Sequence, residues 1–463
     1  MKQALSCQLS ALSVRTHGTR DSFAIFLLSS ILILTLPIQA LAQGQFDDYV
    51  RAYVRNSDFS GSVLVANGGR ILFRKSYGMA NYELSVPNSE DTRFHIASIS
   101  KTFTAAAIVL LEKQGKLKLS DPLSKWIPDF LNGEKITVEQ MLSHRSGLPD
   151  YYTLPDYSAR KSQRVSLPEL IAWIKTKPLD FVPGTESRYS NTGYAFLAYI
   201  VEQASGKSYD QFMTDEVFRP AGMKESGTFR DDALIAHRAS GYQPWVGEPA
   251  LRNAPAYDKT ILTGAASLYS TTGDLYVWCR ALQEKKFFDL LTLPFPYGWR
   301  QTEAATSDGK KRALLEQDGR DPGYVAHIVM DPAGDLVVVV LGNLEDAAVN
   351  KIAADLTAME LGKSVTPPAR RQKGTLAEAD VDYAGRYEVR TDFLIDVKRE
   401  GSELFLRGTG GDYLPLEPLG KDTFFYRQFY LTVRFKRDRA GKIDQLVWDG
   451  QNSLKKVADK PAP

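Results

Sequence analysis

The sequence predicts an α/β sandwich, an antiparallel sheet flanked by helices, followed by a small all-β barrel-like domain. β-rich runs stand near both ends of residues 43–363 with helical patterns between them, so one sheet joins the two ends. Thr366 to Gly374 then has linker composition, which places a linker over about 364–376. Beyond it, over 377–458, short β runs alternate with glycine or charged turns. At 463 residues the chain is long enough for one large domain plus a smaller module.

The first strands are Ser62 to Ala66 and Arg70 to Arg74, joined by the hairpin signal Asn67-Gly68-Gly69. A helix follows from about Ser98 to Gln114, where Ala105, Ala106, Ala107, Leu110 and Leu111 favour helix and Gly115 stops it. Further helices are expected near Val138 to Leu142, Leu167 to Lys175 and Tyr194 to Gln203. Gly323 to Met330 and Leu336 to Leu341 read as strands around an Asp331-Pro332-Ala333-Gly334 turn, and a helix from Ala348 to Leu361 closes the larger domain. In the last part the β runs are Tyr387 to Val389, Phe393 to Val397, Glu403 to Leu406, Phe424 to Tyr426, Leu431 to Phe435 and Gln445 to Trp448.

Composition excludes several classes of function. With 43% apolar and 24% charged residues the chain is neither wholly disordered nor fibrous. A net charge of +2 without a Lys/Arg block argues against nucleic acid as a partner. No cofactor motif is evident, and the five histidines lack paired metal-ligand spacing. Cys7 and Cys279 are the two cysteines; the second lies in an apolar helix-like stretch that suits a buried inert thiol.

Arg15 and Arg20 precede an apolar stretch from Phe23 to Ile38, and Ala40-Leu41-Ala42 is a small-x-small cleavage site. Residues 1–42 therefore read as a signal peptide, with a mature start at Gln43 and a periplasmic or secreted destination. The alternative is an uncleaved membrane anchor, since a run of about 16 apolar residues approaches the lower limit for a spanning helix. Intact mass of the exported protein decides between them: retention of Phe23 to Ala42 would mean an anchor.

Ser98-Ile99-Ser100-Lys101 stands at the predicted start of the long helix. Residues three apart share a helix face, so the Ser98 hydroxyl and the Lys101 amine can meet. A serine hydroxyl needs a base to become a nucleophile, and lysine serves as one only if burial lowers its pKa towards neutrality. Tyr189-Ser190-Asn191 follows inside Pro183 to Tyr194. There the Tyr189 hydroxyl near a cation can relay a proton, and the Asn191 amide can hold both the lysine and a substrate carbonyl.

With these motifs, the chain resembles the serine β-lactamase-related family of class C β-lactamases, D-Ala-D-Ala carboxypeptidases, D-aminopeptidases and related esterases. The segments Met141 to Asp150 and Gly264 to Asp274 resemble others of that family, in consistent order over about residues 45 to 361. The resemblance implies a β-lactamase/transpeptidase-like sandwich and a Ser98 acyl-enzyme, with Lys101 and Tyr189 passing the proton and Asn191 orienting. It also implies that the strand edging the site carries Lys-x-Gly or His-x-Gly, where this chain has Gln317-Asp318-Gly319. Gln317 thus stands where a cation is expected, and a neutral amide gives no charge-assisted contact to a carboxylate. The backbone N–H groups of Ser98 and Arg320 would be the oxyanion donors. The C-terminal region resembles the lipocalin-like module that follows the catalytic domain in many such hydrolases, as an appendage rather than a ligand site.

Other residues receive plainer readings. His144 is expected to be a structural hydrogen-bonding residue; His95, His237 and His327 are expected to be ordinary core or surface histidines. Tyr151, Tyr152 and Trp245 are candidates to line a cleft, and Arg320 and Asp321 are expected to pair with each other in solvent. Phe424, Phe425, Tyr426, Phe429 and Tyr430 alternate too imperfectly to define a pocket. Three readings of function follow: a hydrolase of esters or small amides, a D-amino-acid peptidase, carboxypeptidase or β-lactamase, and a catalytically weak binding protein that keeps the fold. A small-molecule or peptide substrate is the expected partner.

Overall fold

The computed structural model describes residues 43–457 except 231, 245–250, 372–381, 391–392, 409–412, 428–429 and 449–451. The signal-peptide reading of residues 1–42 lies outside the described residues, as do Trp245 and Phe429. Among the described residues no helix is long and apolar enough to cross a membrane.

Six strands form the main sheet: β1 (Gly61–Asn67), β2 (Arg70–Tyr77), β3 (Arg300–Ala305), β4 (Lys311–Asp321), β5 (Tyr324–Met330) and β6 (Val337–Gly342). Their order is β3-β4-β5-β6-β1-β2, with every neighbour antiparallel, so the N-terminal hairpin docks on the C-terminal strands as expected. The main helices are α1 (Ser100–Lys113), α2 (Val138–Leu142), α3 (Leu167–Ile174), α4 (Asn191–Ser205), α5 (Thr272–Gln283) and α6 (Val349–Glu360). Leu64, Ala66, Val337, Val339 and Leu341 join the core that α1, α4 and α5 complete. Their neighbours Val63, Val65, Val338 and Val340 are fully buried on the opposite face, and α6 packs against β5 and β6. Burial on both faces explains why β1 and β6 read as continuous apolar runs rather than alternating ones.

β3 and most of β4 were not legible as strands. Lys311, Arg312, Glu316 and Asp318 interrupt the pattern because β3 and the start of β4 are half-exposed at the sheet edge. Local capping sets the helix starts. Thr137 with Gln140 and Ser166 with Glu169 form capping boxes on α2 and α3, each side chain satisfying the other's backbone N–H.

After α6, β7 (Gly385–Arg390), β8 (Phe393–Glu400), β9 (Glu403–Gly408), β10 (Leu414–Gly420), β11 (Thr423–Tyr426), β12 (Leu431–Arg437), β13 (Ile443–Trp448) and β14 (Asn452–Val457) form a closed eight-stranded barrel. Pairing of β7 with β14 closes it. β10 and β14 were not among the expected runs; Pro415 and Pro418 each withhold a ladder donor and disguise β10. Tyr387, Leu406, Phe424, Tyr426, Val433 and Leu446 fill the interior. Phe425 points the other way, onto Tyr430 and the Arg371 guanidinium.

A buried charge cluster joins barrel to sandwich. Arg427 pairs with Asp58 at 2.6 Å, with Asp346 at 2.9 Å and with Glu417; Arg371, which precedes the barrel in sequence, pairs with Asp58 as well. Burial pushes the Asp346 carboxyl up to about 7 despite Arg427, because Asp58 and Glu417 add like charge beside it. A carboxyl that holds its proton more tightly folded than unfolded contributes stability at low pH, and loses it as pH rises through its folded pKa. The Tm is therefore expected to fall between about pH 4 and about pH 7, and Asp346→Asn is expected to flatten that slope. Calorimetry across the range checks this.

Candidate active site

The nucleophile candidate does not sit on the long helix itself. Residues Ala97–Ile99 form a tight 3₁₀ turn and α1 begins only at Ser100. Ala97 is held at φ +44°, a conformation that strains an L residue, so the chain bends sharply just before Ser98. The bend leaves Ser98 half-buried, facing a cleft, while Lys101 is wholly buried one turn below it.

Lys101 Nζ donates to Ser98 Oγ at 3.2 Å, to Asn191 Oδ1 at 2.8 Å and to the Ala265 carbonyl at 2.9 Å. The Ser98 and Tyr189 hydroxyls are 2.7 Å apart, and Lys101 Nζ lies 4.7 Å from the centre of the Tyr189 ring. Burial lowers the Lys101 pKa to about 7, against the raising influence of Asp150 and then Asp318. A large fraction of this amine is thus uncharged near neutrality. Burial also raises the Tyr189 phenol above its ordinary range, so Tyr189 remains a neutral hydroxyl.

Tyr189-Ser190-Asn191 is a helix N-terminus. Ser190 caps α4 by accepting the Gly193 N–H at 3.2 Å, which fixes Tyr189 just outside the helix and Asn191 in its first turn. Asp150 accepts the Asn191 side-chain amide at 2.9 Å, turning the Asn191 carbonyl towards Lys101. This orienting carboxylate closes the Met141 to Asp150 segment, whose sequence alone assigns it no role. Its signal was a carboxylate after Gly-Leu-Pro on a buried loop, too common a pattern to assign.

β4 forms the other wall. Its pairing with β3 ends at Arg300 opposite Glu316, so residues 317 to 321 present a strand edge that β3 does not cover. A side chain at Gly319 would bring a Cβ within 2.3 Å of the Ile96 carbonyl and 2.9 Å of the Ser98 nitrogen, so glycine alone lets the strand lie against the nucleophile turn. Gln317 Nε2 donates to the Ser98 carbonyl at 3.4 Å. Ser98, Lys101, Tyr189, Asn191, Gln317 and Arg320 all line one cleft of about 870 Å³.

Several expectations are corrected. Arg320 and Asp321 do not pair with each other in solvent: successive strand residues point to opposite faces. Arg320 donates to the Glu345 carbonyl at 3.1 Å, whereas Asp321 is buried against Lys259, Tyr257 and His95. Tyr151 is fully buried in the core, while Tyr152 lines the cleft with Phe295, Tyr297 and Trp299. His144 has the expected structural hydrogen bond, accepting the Ser190 N–H at 3.2 Å, and its ring lies 4.7 Å from that of Tyr189. Burial, helped by Lys101, lowers its pKa to about 3 and keeps it neutral. Cys279 is buried and its thiol pKa is raised, so it is unreactive.

Comparison with known proteins agrees with this architecture. The β-lactamase family model matches residues 46–362. Penicillin-binding protein 4* of Bacillus subtilis is 28% identical over 427 residues, covering 85% of this chain and 93% of its own. A penicillin-binding protein from Bacillus halodurans superposes with a TM-score of 0.58 at 28% identity, over 66% of this chain and 98% of that one. A D-amino acid amidase from Ochrobactrum anthropi SV3, solved with D-phenylalanine, shares the fold with a TM-score of 0.58 at 21% identity, over 70% of this chain and 98% of its own. Helices packed on both faces of an antiparallel sheet, a serine on the turn between strand and helix, and a family match across the whole sandwich lead to one conclusion: the chain belongs to the β-lactamase family.

Proposed function

We propose that the protein is an exported serine hydrolase that acts on neutral esters or amides through an acyl-enzyme at Ser98. The observation that carries this reading is the buried, partly uncharged Lys101 amine 3.2 Å from the Ser98 hydroxyl, with the Tyr189 hydroxyl 2.7 Å away on the cleft side. Lys101 takes the hydroxyl proton as Ser98 Oγ bonds to the substrate carbonyl carbon. Tyr189 gives its hydroxyl proton to the leaving oxygen or nitrogen as that bond breaks and is reprotonated by the Lys101 ammonium; water then adds to the acyl carbon, losing a proton to the same pair, and the acyl–Ser98 bond breaks as Ser98 Oγ takes that proton back. The N–H groups of Ser98 and Arg320 hold the oxyanion, and such backbone donors do not depend on side-chain identity. Export is supported by the basic, apolar and small-x-small order of residues 15 to 42.

A fluorophosphonate and a labelled penicillin, each followed by adduct mapping, test the reading. Labelling of Ser98 by the fluorophosphonate with little by penicillin is the expected result. Labelling by neither would favour a binding protein that keeps the fold, and ready acylation by penicillin would favour the carboxypeptidase or β-lactamase reading.

Substrate range is expected to follow Gln317. Its amide contributes no charge at a strand edge where the adjacent cleft-lining side chain is the Asp318 carboxyl. Gln317→Lys should improve kcat/KM for a carboxylate-bearing substrate relative to its neutral match by up to about tenfold, the equivalent of one partly exposed ionic contact of roughly 1 kcal/mol. Matched substrate pairs in both proteins measure this. If the wild type already prefers the charged member, the recognising cation is another lining residue, Arg145, Arg300 or Arg320.

A further inference from the structure

His95 precedes the Ser98 turn on the short strand Phe94–His95 and is fully buried. Its Nε2 lies 2.5 Å from the Ala266 carbonyl and its Nδ1 lies 3.1 Å from Asp321 Oδ2. The same carboxylate accepts from Lys259 Nζ at 2.7 Å and from the Tyr257 hydroxyl. A buried ionic group of this kind costs desolvation and is no source of stability by itself. Its position gives it another use.

Segment 264–268 is gripped one residue at a time. Thr104 donates to the Gly264 carbonyl at 2.6 Å, Lys101 to Ala265 at 2.9 Å and His95 contacts Ala266, while Ser100 Oγ accepts the Leu268 N–H at 3.0 Å. His95 ties this segment to the end of β4 through Asp321. An uncharged lysine amine has two N–H bonds and one lone pair. With its N–H bonds given to the Ala265 and Asn191 carbonyls, the lone pair is left for the Ser98 hydroxyl. The direction of the Ala265 carbonyl therefore sets the aim of the base.

We propose that His95 is a positioning residue which, together with Asp321 and Lys259, fixes the Ala265–Ala266 peptide and so aims the Lys101 amine at Ser98. The proposal rests on the Ser98 reading above. It deepens that reading by assigning work to a histidine that touches neither substrate nor nucleophile.

The test is the pH dependence of Ser98 labelling by a fluorophosphonate, resolved into kinact and KI, in full-length wild type, His95→Leu and His95→Gln. In His95→Leu, kinact is expected to fall by about 10- to 100-fold with KI unchanged. The acid limb of the profile should also move to lower pH, because a drifting carbonyl no longer favours the ammonium form of Lys101. Asp150, Asp318, Tyr189, Tyr194 and His144, the other groups that face Lys101, are the same in all three proteins. Glutamine keeps an N–H donor for Ala266 and should recover most of the rate and the wild-type limb. A folded His95→Leu protein with wild-type kinact and limb, or equal losses in the two variants, would overturn the proposal. If His95→Leu does not fold, Lys259→Met, which loosens Asp321 and leaves His95 in place, carries the test; an unaltered kinact and limb there overturn it equally. Absence of labelling at Ser98 in the wild type would instead sink the Ser98 reading.

Discussion

Ser98→Ala is expected to abolish both turnover and covalent labelling while leaving the fold intact. The change removes one hydroxyl from a half-buried turn that has no side-chain cap bond to lose. Lys101→Ala should slow acylation by at least about 10²-fold, the lower range for a positioned acid–base group. It should also remove the acid limb from the pH profile. In the wild type that limb lies near 7, where burial places Lys101, with activity rising as pH increases because the uncharged amine is the base. Tyr189→Phe should keep the limb and lower the rate. Labelling rates from pH 5 to 9 check all three, and wild-type turnover in Ser98→Ala or Lys101→Ala would move the site elsewhere.

A protein ending at Thr366 is expected to keep every lining residue of the cleft, since all of them lie between residues 98 and 322. It is also expected to be severely destabilised. The cut removes Arg371 and Arg427 and strands Asp58 and Asp346 beneath the missing barrel. Removing one partner of a buried pair costs about 3–5 kcal/mol, against a total stability of about 5–15 kcal/mol for a typical domain. The Tm should drop sharply, with labelling restricted to whatever fraction stays folded. Asp58→Asn in the truncated protein should restore part of the loss by discharging the stranded carboxylate. A truncated protein with the intact protein's Tm would show that the cluster adds nothing to stability. A folded one that fails to label would show that the barrel completes the site. The barrel's own interior is packed with aromatic and aliphatic side chains, which fits a stabilising appendage better than a ligand carrier.

The sequence by itself determined the order of the larger elements, because burial on both faces makes β1 and β6 continuous apolar runs and capping residues mark the helix starts. It also determined the local pairing of Ser98 with Lys101, three residues apart, whereas the helix expected from Tyr194 begins at Asn191 under a Ser190 cap that the sequence reading did not name. Tertiary structure alone decided the rest. Edge strand β3 and its neighbour β4 carry charges at half-exposed positions, so periodicity hides them, and Arg320 and Asp321 part company because a strand turns them to opposite sides. Ser98 lies on a strained turn against which β4, over 200 residues away in sequence, can pack only because residue 319 is glycine. His95, Asp150 and the Ala265 carbonyl acquire their roles from contacts across 41 to 171 residues of chain. Such contacts leave no spacing to read, because their geometry is set by the packing of the sheet against its helices and not by the local backbone.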